Sequence, residues 1–529
     1  MEQRSRRQSL AGWTLGLLSI SSTRSALGQP VVPAVPAPQT VADLQHLNPA
    51  TLSPAQHVAI QVGGYWQFGD GGGGAFQWEP DNRSEPDGML FFAPAAAKPG
   101  TAPPPGRWVR RVETGVFTFE MAGARGDGKT DDWERCQIAN DALARHYPGA
   151  TIRLRPGRQY LIEHADLVVR PGVVIEGTGG SLGQASKDLP TFVRAGSGFW
   201  LDPARSLKLS SGAGLRDLWV MRRDIRDSLL PTAEELGRQL AQWESETSVG
   251  VRGEGDSFQV IRCTIIGFHT ALLVTFGRFI IEDIHLDCIN GIEITRVGDI
   301  GRVRGAHAIP YYALHLSSDL FGGKTWYRSG IGYNIHDKAD GVSLADCFCL
   351  CYRVGFRLSN VWSVVLDGPT VDGSRDLALT ENTVGLLVEN CASFCQVLNP
   401  KLSAVGRAMV LNQTDAPHAT EKPAPGTFPK GFLTVRGGFA GTILRGKAPI
   451  VNLGPYSRGV ISDVLIGSGD TQPIGVGENV YGWILEDLTF WTTTPREWIN
   501  LPASSRNAVK MSGIVNMDTT PPTWLVPRT

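Results

Sequence analysis

After residue 150 the chain consists of short β-rich runs that recur every ~20–25 residues and are separated by Gly, Asn and Asp. Almost no amphipathic helix interrupts these runs. A fixed period of this length is typical of solenoids, in which each repeat packs only on its neighbours. The 62 Gly and 34 Pro among the 529 residues suit a chain with many turns. The pattern therefore predicts an all-β solenoid.

Two of these runs, residues 260–274 and 281–294, align at a spacing of about 21 residues. The alignment stacks Ile266 on Asp287. Because successive residues of a strand point to opposite faces, His285 and Asp287 are expected to face outward while the apolar residues face inward. A slip of one residue would exchange the two faces.

The motif GARGDGKTDD, residues 123–132, fits two incompatible interpretations. Its first eight residues satisfy the phosphate-loop pattern GxxxxGK[ST], in which Lys129 would contact nucleotide phosphates. Such an enzyme needs helices alternating with buried parallel strands, and the rest of the chain lacks that alternation. Asp131 and Asp132 would also place two carboxylates beside the phosphates. We therefore favour a structural role for the motif.

In its context the motif resembles the entry to the pectate-lyase-like superfamily. Those proteins carry G-A-x-G-D-G-x-T-D-D, then a short helix, then P-G-x-Y at the first rung. Here a helix is expected over residues 132–147, with Asp131 as its N-cap and Glu134 three residues later, and residues 156–160 read PGRQY. The resemblance implies a single-stranded right-handed parallel β-helix with an N-terminal capping helix.

Residues 1–28 have the parts of an export signal. Basic residues that include Arg6 and Arg7 come first, residues 10–20 are a short apolar stretch, and small residues favour cleavage after Gly28. The arginine pair resembles a twin-arginine signal, and an ordinary secretory signal is the alternative. Either signal predicts a periplasmic or secreted protein.

Composition changes divide the remainder. Residues 29–39 are a Pro-rich linker, residues 40–113 are expected to form a small β-rich module, and residues 114–529 the β-helix domain. No other apolar run is long enough to span a membrane. The formal net charge of −1 creates no global field that attracts nucleic acid. The oligomeric state is not predicted.

Eight cysteines would permit disulfides in an oxidising compartment. Cys347, Cys349 and Cys351 alternate along one strand, and Cys263 and Cys288 lie about one repeat apart. Stacking as small apolar residues inside the solenoid explains these positions best. No CxxC pair or His cluster indicates a metal site.

The family resemblance implies a polysaccharide as the substrate, acidic or branched. We expect an exported depolymerase, with a glycoside hydrolase that uses paired carboxylates as the leading interpretation. A polysaccharide lyase and a non-catalytic carbohydrate-binding or surface-attachment protein are the alternatives. No cofactor is expected, except Ca²⁺ in the lyase case. The Asp-Asp, G-H-G and D-P-H-E signatures of particular subfamilies are missing mid-chain, so the fold does not specify the chemistry.

Catalytic candidates are acids that point outward on the rungs. Glycosidase carboxylates lie about 5 Å apart for retention or 6.5–9.5 Å for inversion, and a strand face offers both spacings. Asp287 and Asp372 are the predicted pair. Asp340 is a third candidate, and Asp337 is expected to lean over the same groove. For any one of them a turn or solvated aspartate is the alternative.

Three insertions interrupt the rungs, at residues 224–247, 297–336 and 413–430, and a helix is expected near 232–244 in the first. The second is rich in aromatic and basic side chains, which stack on sugar rings and pair with carboxylates. The predicted substrate-binding residues are His285, His307, Trp326, Tyr327 and Arg328. Packing of the insertion onto the solenoid explains them equally well.

Overall fold

The computed structural model describes most of the chain. The described residues are 37–52, 59–96, 105–112, 115–182, 188–316, 327–373, 382–389, 391, 393–412, 431–442, 449–454, 457–469, 472–478, 480, 482–493, 498–518 and 521–527. The predicted export signal, most of the linker and the 413–430 insertion therefore lie outside them. Residues from Pro38 onward form one compact unit.

The N-terminal part contains helix α1, Val41–His46, and a four-stranded antiparallel sheet A. The strands of sheet A are Ile60–Val62, Gly74–Glu79, Phe91–Phe92 and Arg107–Arg110. Contacts to backbone carbonyls join this part to the solenoid: Arg110 Nη2 donates to Met121 O at 3.0 Å, and Trp66 Nε1 donates to Gly123 O at 2.7 Å. The glycine-rich stretch thus packs against the first rung.

The rest of the described chain winds through three long sheets, B, C and D, in that order in every rung. One rung runs from Phe258–Ile261 in sheet B through Thr264–Ile266 in sheet C to Thr270–Val274 in sheet D. The next rung begins at Phe279–Glu282 and pairs in parallel with the strand below. The prediction of an all-β parallel β-helix is confirmed.

Within the described residues the sheets hold 13, 15 and 12 strands. Sheet B contains Thr151–Arg153, Val174–Glu176, Gly214–Arg216, Phe258–Ile261, Phe279–Glu282, Gly298–Arg304, Asp340–Ala345, Ser363–Asp367, Phe394–Leu398, Phe432–Arg436, Arg458–Ser462, Gly482–Glu486 and Val509–Ser512. Sheet C contains Asp127–Asp131, Gln159–Ile162, Gly198–Leu201, Trp219–Arg222, Thr264–Ile266, His285–Asp287, His307–Ala308, Phe348–Leu350, Thr370–Asp372, Lys401–Val405, Phe439–Thr442, Leu465–Gly469, Thr489–Thr492, Ile514–Asn516 and the antiparallel Thr523–Val526. Sheet D contains Leu167–Val169, Leu207–Leu209, Val249–Gly253, Thr270–Val274, Asn290–Thr295, Arg328–His336, Tyr352–Ser359, Val384–Glu389, Arg407–Asn412, Val451–Leu453, Ile474–Val476 and Ile499–Asn500.

The corner between sheets B and C repeats one backbone conformation. The first residue of this corner has a positive φ, as at Asp283 (51°) and Asp346 (52°). Asp, Asn and Gly adopt this left-handed region at the lowest cost. Equivalent corner residues are Asp217, Arg262, Gly305, Gly368, Asn399, Gly437, Asp463, Asp487 and Gly513. The Gly, Asn and Asp breaks seen in the sequence are largely these corners.

The interior is a continuous apolar column. The predicted register is confirmed, because Ile266 pairs with Asp287 and Ile265 with Leu286. All eight cysteines are buried and none is in a disulfide. Cys263 and Cys349 belong to the apolar core, as predicted.

Helix α2, Trp133–His146, covers the open N-terminal end of the solenoid. Its N-cap is Asp132, so the prediction of Asp131 was wrong by one residue. The Asp132 carboxylate makes no capping bond and instead accepts N–H groups from Arg125 and Gly126 at 2.6 and 2.9 Å. Burial raises its pKa to about 6. The motif therefore folds around its own acid, which accords with the structural role.

Two further helices lie outside the rungs: α3, Leu189–Ala195, and α4, Ala233–Ser245. Helix α4 begins with the capping box formed by Thr232 and Glu235 and confirms the helix expected in the first insertion. Short 3₁₀ segments are Pro49–Thr51, Phe119–Ala122, Arg223–Ile225, Tyr311–Ala313 and Ala503–Ala508.

The second insertion is shorter than predicted. Residues Gly298–Arg304 and His307–Ala308 are rung strands of sheets B and C, and Arg328–His336 is a strand of sheet D. The insertion is therefore confined to the segment between residue 308 and residue 328. The sequence GDIGRVR has two glycines and a polar outer face, which concealed its strand.

Candidate functional site

A second apolar cluster covers part of the outer face of sheet C. It joins α3, α4 and the Tyr311–Ala313 segment to outward side chains of the sheet, among them Trp219 and Ile266. Trp243 of α4 stacks on Tyr312 with ring centroids 5.9 Å apart. This part of sheet C is therefore closed to a polymer.

Asp287 lies under this cover with 0% exposure. Its Oδ1 accepts from Arg328 Nε at 2.8 Å and its Oδ2 from the Tyr312 N–H at 2.7 Å. Burial raises its pKa, and Arg328 opposes that rise. The expectation that Asp287 faces a binding groove was wrong, because the Tyr311–Ala313 segment and the Arg328 side chain cover it. The geometry gives Asp287 and the equally buried Arg328 a structural role as an internal ion pair.

His285 and His307 occupy adjacent rungs at the edge of the covered area. Their ring centroids are 5.7 Å apart, and Tyr311 lies 5.4 Å from His285. Burial, together with His307, lowers the pKa of His285 to about 4, and burial lowers the pKa of His307. Both rings are therefore neutral at pH 7. Their predicted contact with substrate stays a prediction.

The other predicted residues do not converge. Asp372 is half-buried, accepts from Ser403 Oγ at 2.8 Å and lies three strands beyond Asp287 in sheet C. That separation is about 14 Å, beyond either glycosidase spacing. Asp340 opens a strand of sheet B, on another face. Tyr327 is half-buried beside Arg328, and Trp326 lies outside the described residues.

Sheet D instead presents an outward polar strip, which sequence reasoning missed. Four successive strands of this sheet contain the same five-residue pattern, a glycine followed by alternating inward and outward positions. The pattern occurs as GIEIT at 291–295, GYNIH at 332–336, GFRLS at 355–359 and GLLVE at 385–389. We define the polar strip as Glu293, Asn334, His336, Asp337, Arg357, Ser359 and Glu389. Aligning these pentapeptides would have found it.

At one end of the strip His336 lies between two carboxylates. Its Nε2 is 3.0 Å from Glu293 Oε1, and its Nδ1 is 3.0 Å from Asp337 Oδ2. Hydrogen bonding to Glu293 raises the pKa of His336. The side chains of Glu293, His336 and Asp337 are 29%, 18% and 59% exposed, so solvent reaches all three. The carboxylates are at most on the order of 8 Å apart across the ring.

At the other end Arg357 Nε donates to Glu389 Oε2 at 2.7 Å. Asn334 lies in register between Glu293 and Arg357. Its Oδ1 is buried and has no hydrogen-bond partner within the described structure. The strip therefore offers two acids and an imidazole that exchange protons, followed by a cation and an amide that bind hydroxyl or carboxylate groups.

Across the corner from sheet D, aromatic side chains line the start of three strands of sheet B. Phe394 pairs with Ser363 and with Phe432 in register, and the Phe394 and Phe432 ring centroids are 6.4 Å apart. Trp362, next to Ser363, is 49% exposed, and Phe394 is 61% exposed. We call Trp362, Phe394 and Phe432 the aromatic row.

Among the described residues, no group of three or more His, Cys, Asp or Glu side chains has the arrangement of a metal site. In the same part of the chain, no helix is long and apolar enough to cross a membrane.

Comparison with known proteins gives one similar sequence and several similar folds. No protein-family profile matches the chain. A capsule KN3-specific depolymerase of Klebsiella phage KN3-1 is 30% identical over 187 residues, which are 31% of this chain and 23% of the phage protein. The chain thus matches less than a quarter of that relative's length.

Two solved structures show the range of the similar folds. Tailspike protein gp49 of Acinetobacter baumannii bacteriophage Fri1, a capsular polysaccharide depolymerase, is 14% identical, with 90% of this chain and 74% of that one covered and a TM-score of 0.42. The catalytic unit of the GH87 α-1,3-glucanase from Streptomyces thermodiastaticus is 10% identical, with 80% and 73% covered and a TM-score of 0.47. The fold assignment rests on the sheets described above, not on these similarities.

Proposed function

We propose that this protein is an exported polysaccharide depolymerase, a glycoside hydrolase that cleaves its polymer on the polar strip of sheet D. The observation that carries the proposal is the pair of solvent-accessible carboxylates held on the two nitrogens of His336. The similarity of part of the chain to a capsule depolymerase supports the substrate class.

In this proposal Glu293 and Asp337 are the catalytic carboxylates. The upper limit on their separation, on the order of 8 Å, admits the spacing of inverting glycosidases, in which a water fits between one carboxylate and the sugar. Asp337, the more exposed of the two, activates the water. The protonated His336 gives its proton to Glu293, which passes it to the leaving oxygen, and Asp337 returns the proton taken from the water to His336. Arg357 and Asn334 hold the next sugar unit.

The aromatic row extends the proposed path of the polymer. Exposed aromatic rings stack on the apolar faces of sugars, and the row lies one corner away from the polar strip. A chain that leaves the strip near Glu389 meets Phe394 at the start of the next strand.

A polysaccharide lyase is the second candidate, and a specific observation favours it. His336, in the neutral form that it adopts above its raised pKa, and Arg357 on the adjacent strand provide a base and a cation for β-elimination at a uronate. In that case a Ca²⁺ ion bound with the substrate carboxylate is part of the proposal, and chelation with EDTA should reduce turnover.

The test is a screen of acidic and branched bacterial polysaccharides. A hydrolase releases reducing ends only, whereas a lyase also releases unsaturated ends that absorb near ~235 nm. Binding without either product would support the non-catalytic alternative. On the polymer that is cleaved, Glu293→Gln, Asp337→Asn and His336→Gln should each lower turnover by about 10²–10⁴-fold.

The matched controls are Glu282→Gln and Asp367→Asn on the outer face of sheet B, which should keep normal turnover. Circular dichroism should show the same folded β-structure in all five variants. Near-normal turnover in all three strip variants would overturn the site, while products from the wild type would still support the function.

A further inference from the structure

Cys391 and Cys395 differ from the other cysteines because their sulfur atoms contact each other. Their sulfur atoms lie 2.8 Å apart, and both side chains are buried, with 3% and 1% exposure. Elsewhere the cysteine sulfurs contact backbone oxygens at longer distances, such as 3.3 Å from Cys263 to Ile261 and 3.4 Å from Cys347 to Ala345. Sulfur is larger than oxygen, so the Cys391–Cys395 contact is unusually short.

The fold brings the two residues together at a corner. Cys391 lies two residues after the sheet D strand Val384–Glu389, and Cys395 is the second residue of the sheet B strand Phe394–Leu398. Cys395 points inward, in register between Val364 and Leu433. The corner therefore directs both side chains to the same point in the core.

The surroundings leave room for the sulfurs to rearrange. A cavity of about 10 Å³ is lined by Cys391 together with Leu433, Ser457 and Trp483. A cavity of that size is at the lower limit for one water molecule. Closing the gap from 2.8 Å to the ~2.05 Å of a disulfide needs a movement of less than about 1 Å.

We propose that Cys391 and Cys395 form a disulfide that locks this corner when the protein folds in an oxidising compartment. A disulfide such as glutathione disulfide is the oxidant. One cysteine attacks one of its sulfurs as the thiolate and releases the first thiol, and the other cysteine then displaces the second thiol from the mixed disulfide. The two cysteines lose two protons and two electrons, one S–S bond forms, and the oxidant is reduced to two thiols.

Both cysteines are buried in the folded chain, so a soluble oxidant reaches them only before the corner closes. The bond therefore forms during folding, and the closed corner then holds the two sulfurs together.

The experiment counts thiols in the full chain. Protein refolded in a glutathione redox buffer is denatured with an alkylating agent and weighed. We expect six labels on the eight cysteines, and eight after reduction. Peptide mapping should find residues 391 and 395 in one linked fragment. Eight labels before reduction, or a bond between other cysteines, would overturn the proposal.

Two variants provide matched controls. Cys395→Ala should carry seven labels with or without reduction, whereas Cys349→Ala should keep the bond and carry five before reduction. Reduction should lower the melting temperature of the wild type and of Cys349→Ala but not that of Cys395→Ala. An equal response of all three proteins to reductant would also count against the bond.

Discussion

At the scale of single residues, burial converts Asp287 from an outward acid into part of a structural ion pair. Both of its oxygens accept hydrogen bonds, one from Arg328 at the start of a sheet D strand and one from the Tyr312 N–H of the insertion. A pair of this kind is costly to break, because removal of one partner leaves a charge in the interior.

Asp287→Asn should therefore destabilise the protein by about 3–5 kcal/mol. Chemical denaturation followed by tryptophan fluorescence measures the change. Asp367→Asn, on the exposed face of sheet B, is the control and should stay within about 0.5 kcal/mol. Unchanged stability with lost turnover would instead return Asp287 to a catalytic role.

His285 should make the folded state sensitive to acid. Its pKa of about 4 in the folded state, caused by burial and then by His307, lies below the 6.5 of an unperturbed histidine. The unfolded chain therefore takes up the proton first, and stability should fall as the pH drops from 6.5 towards 4. The shift corresponds to on the order of 3 kcal/mol.

Denaturation curves between pH 7 and pH 4 test this expectation. In His285→Gln the loss of stability over this interval should be smaller by the same amount. Asp132, whose folded pKa of about 6 is raised by burial, acts in the opposite direction over an overlapping interval. The comparison therefore uses the difference between the two proteins, and parallel curves would refute the role of His285.

His336 should control the alkaline side of the activity profile. Hydrogen bonds that His336 donates to Glu293 and Asp337 raise its pKa above 6.5, so the imidazolium persists to a higher pH than that of a free histidine. The hydrogen-bonded imidazolium also stabilises the folded state. This stabilisation is fully present below pH 6.5 and is lost as the pH rises through the pKa that His336 has in the folded state. Turnover should decline through the same pKa.

The pH–rate profile of Glu293→Asp measures the effect, since the shorter side chain weakens the hydrogen bond and keeps a carboxylate. Its alkaline limb should move to lower pH than in the wild type. An unmoved limb would show that His336 is not the titrating group.

At the scale of elements, the corner between sheets B and C depends on one left-handed residue in each rung. Asp346, with φ of 52°, is exposed at such a corner. Asp346→Gly should be tolerated, whereas Asp346→Val should cost roughly 1–2 kcal/mol because Cβ meets the carbonyl in this conformation. Melting temperatures of the two variants test this, and equal values would contradict it.

Each sheet D pentapeptide begins with a glycine because the corner before that sheet is too narrow for a side chain. A Cβ on Gly332 would lie 2.4 Å from Cys349 Sγ and 2.9 Å from Gly355 O. Neighbouring rungs repeat the small residue at Gly291, Gly355 and Gly385. Because the glycine occupies the same position in each pentapeptide, the outward residues of the polar strip stay in register from one rung to the next.

At the scale of the whole molecule, the predicted export signal is tested separately from the solenoid. The signal at residues 1–28 lies outside the described residues and stays a prediction. Mature protein recovered from the periplasm or medium should begin at Gln29, as N-terminal sequencing would show. Intact Met1 on the exported protein would contradict cleavage there, and replacement of Arg6 and Arg7 by Lys distinguishes the twin-arginine route from the ordinary one.

Much of the fold could be predicted because it depends on patterns among residues that are close together in the sequence. Period-two alternation and a spacing of about 21 residues placed Ile266 on Asp287, as the structure has it. The entry motif and the capping residues at its end predicted a helix over residues 132–147, which is α2. The rung at 298–308 was missed because its two glycines and exposed arginines hide the apolar alternation.

The candidate site was predictable only in part. Asp337 was expected near a groove, and it is in the polar strip. Glu293, His336 and Glu389 were missed because each is ordinary in its own segment, and only alignment of four distant pentapeptides brings them together.

The sequence by itself determined the solenoid, its rung length and its corners, because these depend on residues close in the chain and on neighbouring repeats. Only the tertiary structure decided which outward face stays open. Helix α4 and the Tyr311–Ala313 segment belong to different rungs, yet they pack together over sheet C and bury Asp287. Sheet D keeps a solvent-accessible strip among the described residues, and burial, not outward orientation alone, separates a structural acid from a candidate catalyst.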